Sequence, residues 1–219
     1  MPVRAALIAV LVLTCTGCAL VKVSVKPPES GLETPIRGGS QRQIIVTIPF
    51  QDSRSSMFRC GVQKGGFGNE IADAGCQGSP ADWIPMLLAR ELEASGFTVL
   101  QSEEGARDTA LKIEGAVLKI FVEPVVGVWS TTVESDFNVK LVATSKTGLH
   151  AERTFFSKGE RTSIIWPQGI FDDSVRRGTR DLLSKMVQAI LELMTRYPEL
   201  GFDRRGGATV AGWRLEAGR

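Results

Sequence analysis

The chain predicts an α+β fold: an antiparallel sheet of about four to five strands with two helices packed on one face. Three patterns carry this expectation. A dense β-branched run opens the folded part at Ile44, Ile45, Val46, Ile48 and Phe50. Three consecutive stretches between residues 111 and 157 alternate apolar with other residues, the period of a half-buried strand. Two further stretches, around Ile84 to Leu92 and Val175 to Leu193, repeat apolar residues at the three- and four-residue spacing of a helix. A strand with one apolar face and a helix with one apolar stripe cover each other, so both helices belong on the same side of the sheet.

In chain order, Arg4 and the apolar run Ala5 to Leu13 have the form of an export signal over residues 1–17. The run stops at Thr14, far short of the roughly 20 residues that cross a bilayer. Cys15-Thr16-Gly17-Cys18 resembles a lipobox, although Cys15 stands where Leu is usual. That resemblance implies cleavage before Cys18, which would then carry diacylglycerol and an N-acyl chain. It also implies sorting to the periplasmic side of the outer membrane, since Ala19 rather than Asp follows the cysteine. Residues 18–42, with Pro27, Pro28, Pro35 and Gly38-Gly39-Ser40, read as an extended tether.

The single periplasmic domain is expected over 43–197. Its opening strand is followed at 52–80 by a Gly- and Ser-rich loop holding Cys60 and Cys76, with a flexible turn at Lys64-Gly65-Gly66-Phe67-Gly68. A helix follows, with Asp82 preferred over Ser79 as its cap because this places Pro85 in the first turn. Gly96 closes that helix as a left-handed cap, and a strand starts at Phe97. Leu111, Ile113 and Val117 share one phase, and Leu118, Ile120 and Val122 the other, which places a β-bulge near Val117. Val133 to Ala143 and His150 to Ser157 complete a meander. The last helix runs from about Asp172 to Arg196, capped by Asp172 or Asp173, and residues 198–219 read as a flexible tail.

Composition narrows the partners. Removing 1–17 takes away Arg4 and no acid, so the formal charge falls from +2 to +1. A nearly neutral chain has no electrostatic footprint for nucleic acid. Of the four cysteines, Cys15 leaves with the signal and Cys18 carries lipid. Cys60 and Cys76 remain, and an oxidising periplasm is expected to join them. Two thiols and the lone His150 fall short of a four-ligand zinc site, so neither metal nor cofactor is expected.

The strand ending in Phe50-Gln51-Asp52-Ser53-Arg54, the helix pattern Leu88-x-x-Glu91-Leu92-x-x-x-Gly96-Phe97, the meander and the final helix together resemble YajG-type outer-membrane lipoproteins. Auxiliary lipoproteins of ABC transport systems and the lipopolysaccharide-assembly lipoprotein LptE are similar in element order. The resemblance implies place and shape, not chemistry.

No nucleophile, base and orienting group come together in the sequence, so no catalytic residue is assigned. His150 reads as a solvent-facing strand residue, and an envelope hydrolase is the alternative function. A binding or structural accessory of the envelope is the main expectation, with a membrane contact through the lipid and an envelope protein or lipopolysaccharide as partner. Two places are candidates for binding. One is the apolar stretch Phe121 to Trp129, with Val126 and Trp129 at its end, for which burial in the core is the slightly favoured reading. The other is the cysteine loop, with Arg59 and Phe67.

Overall fold

A computed structural model describes residues 23–146, 148–164, 169–197, 209–210 and 213–215. The export signal and Cys18 lie outside the described residues. The α+β class holds, but the sheet is larger than expected and mixed: eleven strands among the described residues.

Its backbone is the meander β7 (Leu111–Val126), β8 (Thr131–Ser145) and β9 (His150–Ser163), paired antiparallel throughout. The register shifts between Val117 and Lys119, which is the expected bulge. It allows Leu111, Ile113 and Val117 before it, and Ile120 and Val122 after it, to face the same core. The far edge of β7 is served by three short strands in succession, all parallel to it. β2 (Gln43–Val46) pairs with 111–113, β3 (Gln51–Asp52) with 116–117, and β4 (Arg59–Lys64) at Val122. β6 (Thr98–Leu100) lies parallel on the outer side of β2. These parallel contacts are what an antiparallel meander of four or five strands leaves out.

The loop expected at 52–80 is largely a β-hairpin, β4 with β5 (Glu70–Cys76), closed by the Cys60–Cys76 disulfide. Its core positions are small, Cys60, Gly61, Val62 and Ala74, so it lacks the large apolar residues that announce a strand. Gly61 is required there: a Cβ would collide with the Val122 carbonyl oxygen on β7.

α1 (Pro80–Ala94) starts at Ser79, whose Oγ accepts from the Ala81 N–H at 3.2 Å. Asp82 is therefore in the first turn and Pro85 is inside the helix. A proline at 85 has no N–H for the Ala81 carbonyl, and that carbonyl accepts instead from the Phe50 N–H at 2.8 Å. At the other end Gly96 (φ 93°) is the left-handed cap expected. The Phe97 N–H bonds Leu92 O and the Gly96 N–H bonds Glu93 O, the paired bonds of a Schellman ending. α2 (Ile170–Arg196) begins after Gly169, so Asp172 and Asp173 sit in its first turn rather than capping it. Both helices contribute to one core with the inward face of the meander, including Leu88, Leu92, Leu182, Leu183 and Ile190.

The tether expectation is corrected for 23–42, which forms a strap across the body. β1 (Ser24–Val25) pairs parallel with β5. The Leu32 N–H donates to the Glu91 carboxylate at 2.9 Å, and Arg180 on α2 donates to Gly31 O and pairs with Glu33. Gly38 and Gly39 N–H groups then take the Ser95 carbonyl at 3.2 and 2.9 Å, satisfying the end of α1. Within the expected tail, β10 (Thr209–Val210) and β11 (Trp213–Leu215) form a short antiparallel pair, with β11 beside β9 at 151–152.

Candidate contact surface

Pairing register places three strand connections at one end of the sheet. β7 and β8 end at the Val126–Thr131 pair, joined by a turn in which the Gly127 N–H bonds Ser130 O at 2.8 Å. Thr131 also pairs with Ser163, so the chain leaves β9 at that level through Ile164. β4 runs parallel to β7 from Gly61 at Val122, and Lys64 reaches Glu123 at 2.7 Å. The β4–β5 turn, holding Phe67, therefore lies at the same end.

These connections carry exposed apolar side chains. Val128 is 89% exposed, Trp129 86%, Ile164 86% and Phe67 fully so, with Val125 and Ile71 partly exposed behind them. The strands do run longer, pairing through Pro124 opposite Val133, but the tip side chains do not enter the core. The core reading of this stretch thus holds for Val122 and Pro124 and fails for Trp129. Val126, the last residue of β7, is half-buried.

Arg59 is placed differently. It begins β4 and pairs with Glu70 at 3.2 Å and Asp73 at 2.8 Å, its guanidinium 5.7 Å from the centre of the Phe121 ring. It is committed to holding the hairpin, so the basic-aromatic pair with Phe67 separates into a structural cation and an exposed ring. Val128 belongs to the apolar stretch singled out in the sequence, and Ile164 is the tip residue that the sequence expectations did not name. Its signal was an apolar residue immediately beyond a long alternating strand.

On one face of the meander the lysines are engaged. A depression of about 420 Å³ lined by Lys119, Asp136, Asn138, Phe156, Lys158 and Lys185 has the look of an anion site. Lys119 pairs with Asp136 at 2.9 Å, Lys158 with Glu134 and Glu160 at 3.0 Å, and Lys185 with Asp181. Hydrogen bonds to Glu134 and Glu160 raise the Lys158 pKa, as expected of an ammonium held between two carboxylates. The charges cancel within the sheet face. His150 opens β9 opposite Thr144, half-buried. Among the described residues no three of His, Cys, Asp and Glu gather as a metal site, and no helix is long and apolar enough to cross a membrane.

Under the hairpin, Arg54 is buried with the disulfide. Its Nε and one terminal nitrogen grip the Asp52 carboxylate at 2.9 and 2.7 Å. Its other terminal nitrogen lies 3.2 Å from both Cys60 Sγ and Cys76 Sγ. The hydrogen bond from Arg54 holds the Asp52 carboxyl below the usual carboxylate range, against the opposing effect of burial.

A mixed sheet, two helices on one core and exposed apolar side chains on its strand connections define an α+β domain with an apolar rim at one end. The fold is shared with protein XCC0632 from Xanthomonas campestris, of the family DUF330. Its crystal structure superposes with a TM-score of 0.53 at 14% identity, over 78% of this chain and 96% of that one. Weaker likenesses are to the crystal structure of an uncharacterized protein (TM-score 0.40, 10% identity, 74% of this chain and 99% of that one) and to a putative neuraminyllactose-binding hemagglutinin homolog from Helicobacter pylori (TM-score 0.37, 9% identity, 78% and 95%). No protein-family model matches the chain, and no curated protein does. The structural likeness is to a DUF330 protein, and YajG-type membership is not part of it.

Proposed function

We propose that this chain is a lipid-anchored envelope protein of YajG-like or transport-auxiliary type, whose work is binding rather than catalysis. The observation that carries the reading is the gathering of Phe67, Val128, Trp129 and Ile164 at one end of the sheet, each with most of its surface in water. Exposed apolar groups scattered singly need no explanation, but several on neighbouring connections mark a contact. Lipidation at Cys18 would hold that contact at a membrane, and the Cys15-Thr16-Gly17-Cys18 sequence supports it.

The test is fractionation of cells producing the full chain, with mass spectrometry of its mature N-terminal peptide. The expected result is a triacylated Cys18 in the outer-membrane fraction and release of a Cys18→Ser variant to the soluble fraction. An unmodified Cys18, or a variant that stays with the membrane, overturns the anchor.

A further inference from the structure

The geometry points to the lipid bilayer itself as the occupant of the apolar rim: Phe67, Val128, Trp129 and Ile164 enter the leaflet that holds the acyl chains of Cys18. This rests on the lipid-anchor reading above and adds what the body does once anchored.

The argument comes from the direction in which the chain enters the fold. β1 is parallel to β5, with Ser24 opposite Gly75 and Val25 opposite Cys76, and the Gly75 N–H bonds Val23 O at 3.2 Å. Followed backwards from Val23, β1 therefore points along β5 towards Glu70. Glu70 pairs with Lys64 at the base of the turn carrying Phe67. The anchor thus approaches from the rim end of the sheet, not from the opposite end.

The lengths agree. Val23 stands level with Ala74, and from there to Glu70 β5 spans about 13 Å at ~3.3 Å per residue. Between Cys18 and Val23 the chain reaches at most about 18 Å, at roughly 3.3 to 3.6 Å per residue. A cysteine whose acyl chains lie in the bilayer then has just enough chain to bring the rim to its surface and little more. Had 23–42 been a free tether, the body could stand off in any orientation; because it is a strap, the slack is only the segment before Val23.

The residue types fit a bilayer edge. Trp129 has an apolar ring with a polar N–H, the combination that favours the membrane-water interface, and Val128, Ile164 and Phe67 are apolar beside it. Acyl chains alone retain the protein, so the rim sets orientation rather than affinity. Phe58 and Met57 are also exposed, but they precede β4, at the end of the hairpin away from the turn that carries Phe67.

The test uses the acylated full-length protein in vesicles of phosphatidylethanolamine and phosphatidylglycerol, with part of the lipid brominated on its acyl chains near the headgroup. Quenching of tryptophan emission is compared, with Trp166→Phe in every protein because Trp166 stands two residues after Ile164 in the sequence, between the parent, Trp129→Phe, and Phe58→Trp added to Trp129→Phe. The expected result is quenching that is mostly lost in Trp129→Phe and not restored by Phe58→Trp. Equal quenching of the parent and Trp129→Phe overturns the inference and leaves the anchor intact, since acylation is read separately by mass spectrometry. Equal restoration by Phe58→Trp also overturns it, because the body then has no fixed orientation. An acylated, vesicle-bound protein with unquenched Trp129 that crosslinks through this residue to an envelope protein in cells assigns the rim to that partner instead.

Discussion

At the residue scale the most consequential group is Arg54, a buried cation whose partners are the Asp52 carboxylate, the Met57 carbonyl and both sulfurs of the disulfide. The disulfide, whose ends are 16 positions apart in sequence, stabilises the fold by roughly 3 kcal/mol in the loop-entropy account. Arg54 fixes where that crosslink sits, and Asp52 makes the buried guanidinium tolerable. Removing the carboxylate in Asp52→Ala leaves the cation uncompensated and is expected to cost on the order of 3 kcal/mol. The pH dependence has a definite sign. A carboxyl held below its ordinary range is fully stabilising above that range, and its contribution disappears as pH falls through the folded-state value. Urea unfolding of wild type and Asp52→Ala should therefore differ most at neutral pH and converge below about pH 4. A constant difference across that range would mean that the ion pair contributes nothing.

At the element scale, α2 meets the meander through a seam of small residues. A Cβ on Gly159 would run into the Ser174 carbonyl oxygen and the Gly178 nitrogen and lie 2.6 Å from Ser135 Oγ. The close approach is exploited by hydrogen bonds: Ser135 Oγ donates to Ser174 O at 2.9 Å, Ser174 Oγ to Gly159 O at 3.0 Å, and Ser157 Oγ to Gly178 O at 2.8 Å. Gly159→Ala is expected to destabilise by about 1 to 3 kcal/mol or more, since the obstructing atoms are backbone. Gly66→Ala, with nothing within 4 Å, should unfold like the wild type in the same thermal melt. Such seams also explain what could be read in advance. β7 to β9 and the Gly96 cap were legible because Leu111, Val133, Val139 and Leu141 alternate and Gly96 ends a periodic stretch. The β4–β5 hairpin was hidden because its inward positions hold Cys60, Gly61 and Ala74, small residues chosen for close packing on β7. The parallel pairing of β2, β3 and β4 with β7 was hidden for another reason: partners far apart in sequence leave no local pattern. At the rim, Trp129 and Phe67 stood out as apolar residues in turn positions. Arg59 misled because a cation's partners, here Glu70 and Asp73, are set by the register of a hairpin that was not foreseen.

At the scale of the whole molecule, the strap fixes where the chain enters the body, and under the proposed anchor this would orient the domain. Proline and glycine between residues 27 and 39 have the composition of a linker, yet the backbone groups of Gly31, Gly38 and Gly39 bond the body. Gly39 fits against the Gly96–Phe97 backbone where a Cβ would lie 2.5 Å from Gly96 C. Arg42 donates to Met194 O at the end of α2, and its own carbonyl accepts from Thr98 at 2.9 Å. Glu91, 8% exposed, joins strap to α1 by accepting from Leu32, a bond to a charged group worth about 1.5 to 3 kcal/mol. A free tether would be cut by trypsin after Arg37 and Arg42 at the rate of an unfolded peptide. A strap is cut only when it opens, so the population of the open form governs the rate. Limited trypsin digestion of the folded protein, followed by mass spectrometry, is expected to leave 26–42 attached long after an unfolded control is consumed. Glu91→Ala should speed cleavage at Arg37 by about tenfold or more, because 1.5 kcal/mol of lost attachment raises the open population in that ratio. Wild-type cleavage at the rate of the unfolded control would show that the strap does not hold, and with it would go the short leash on which the proposed membrane contact of the rim depends.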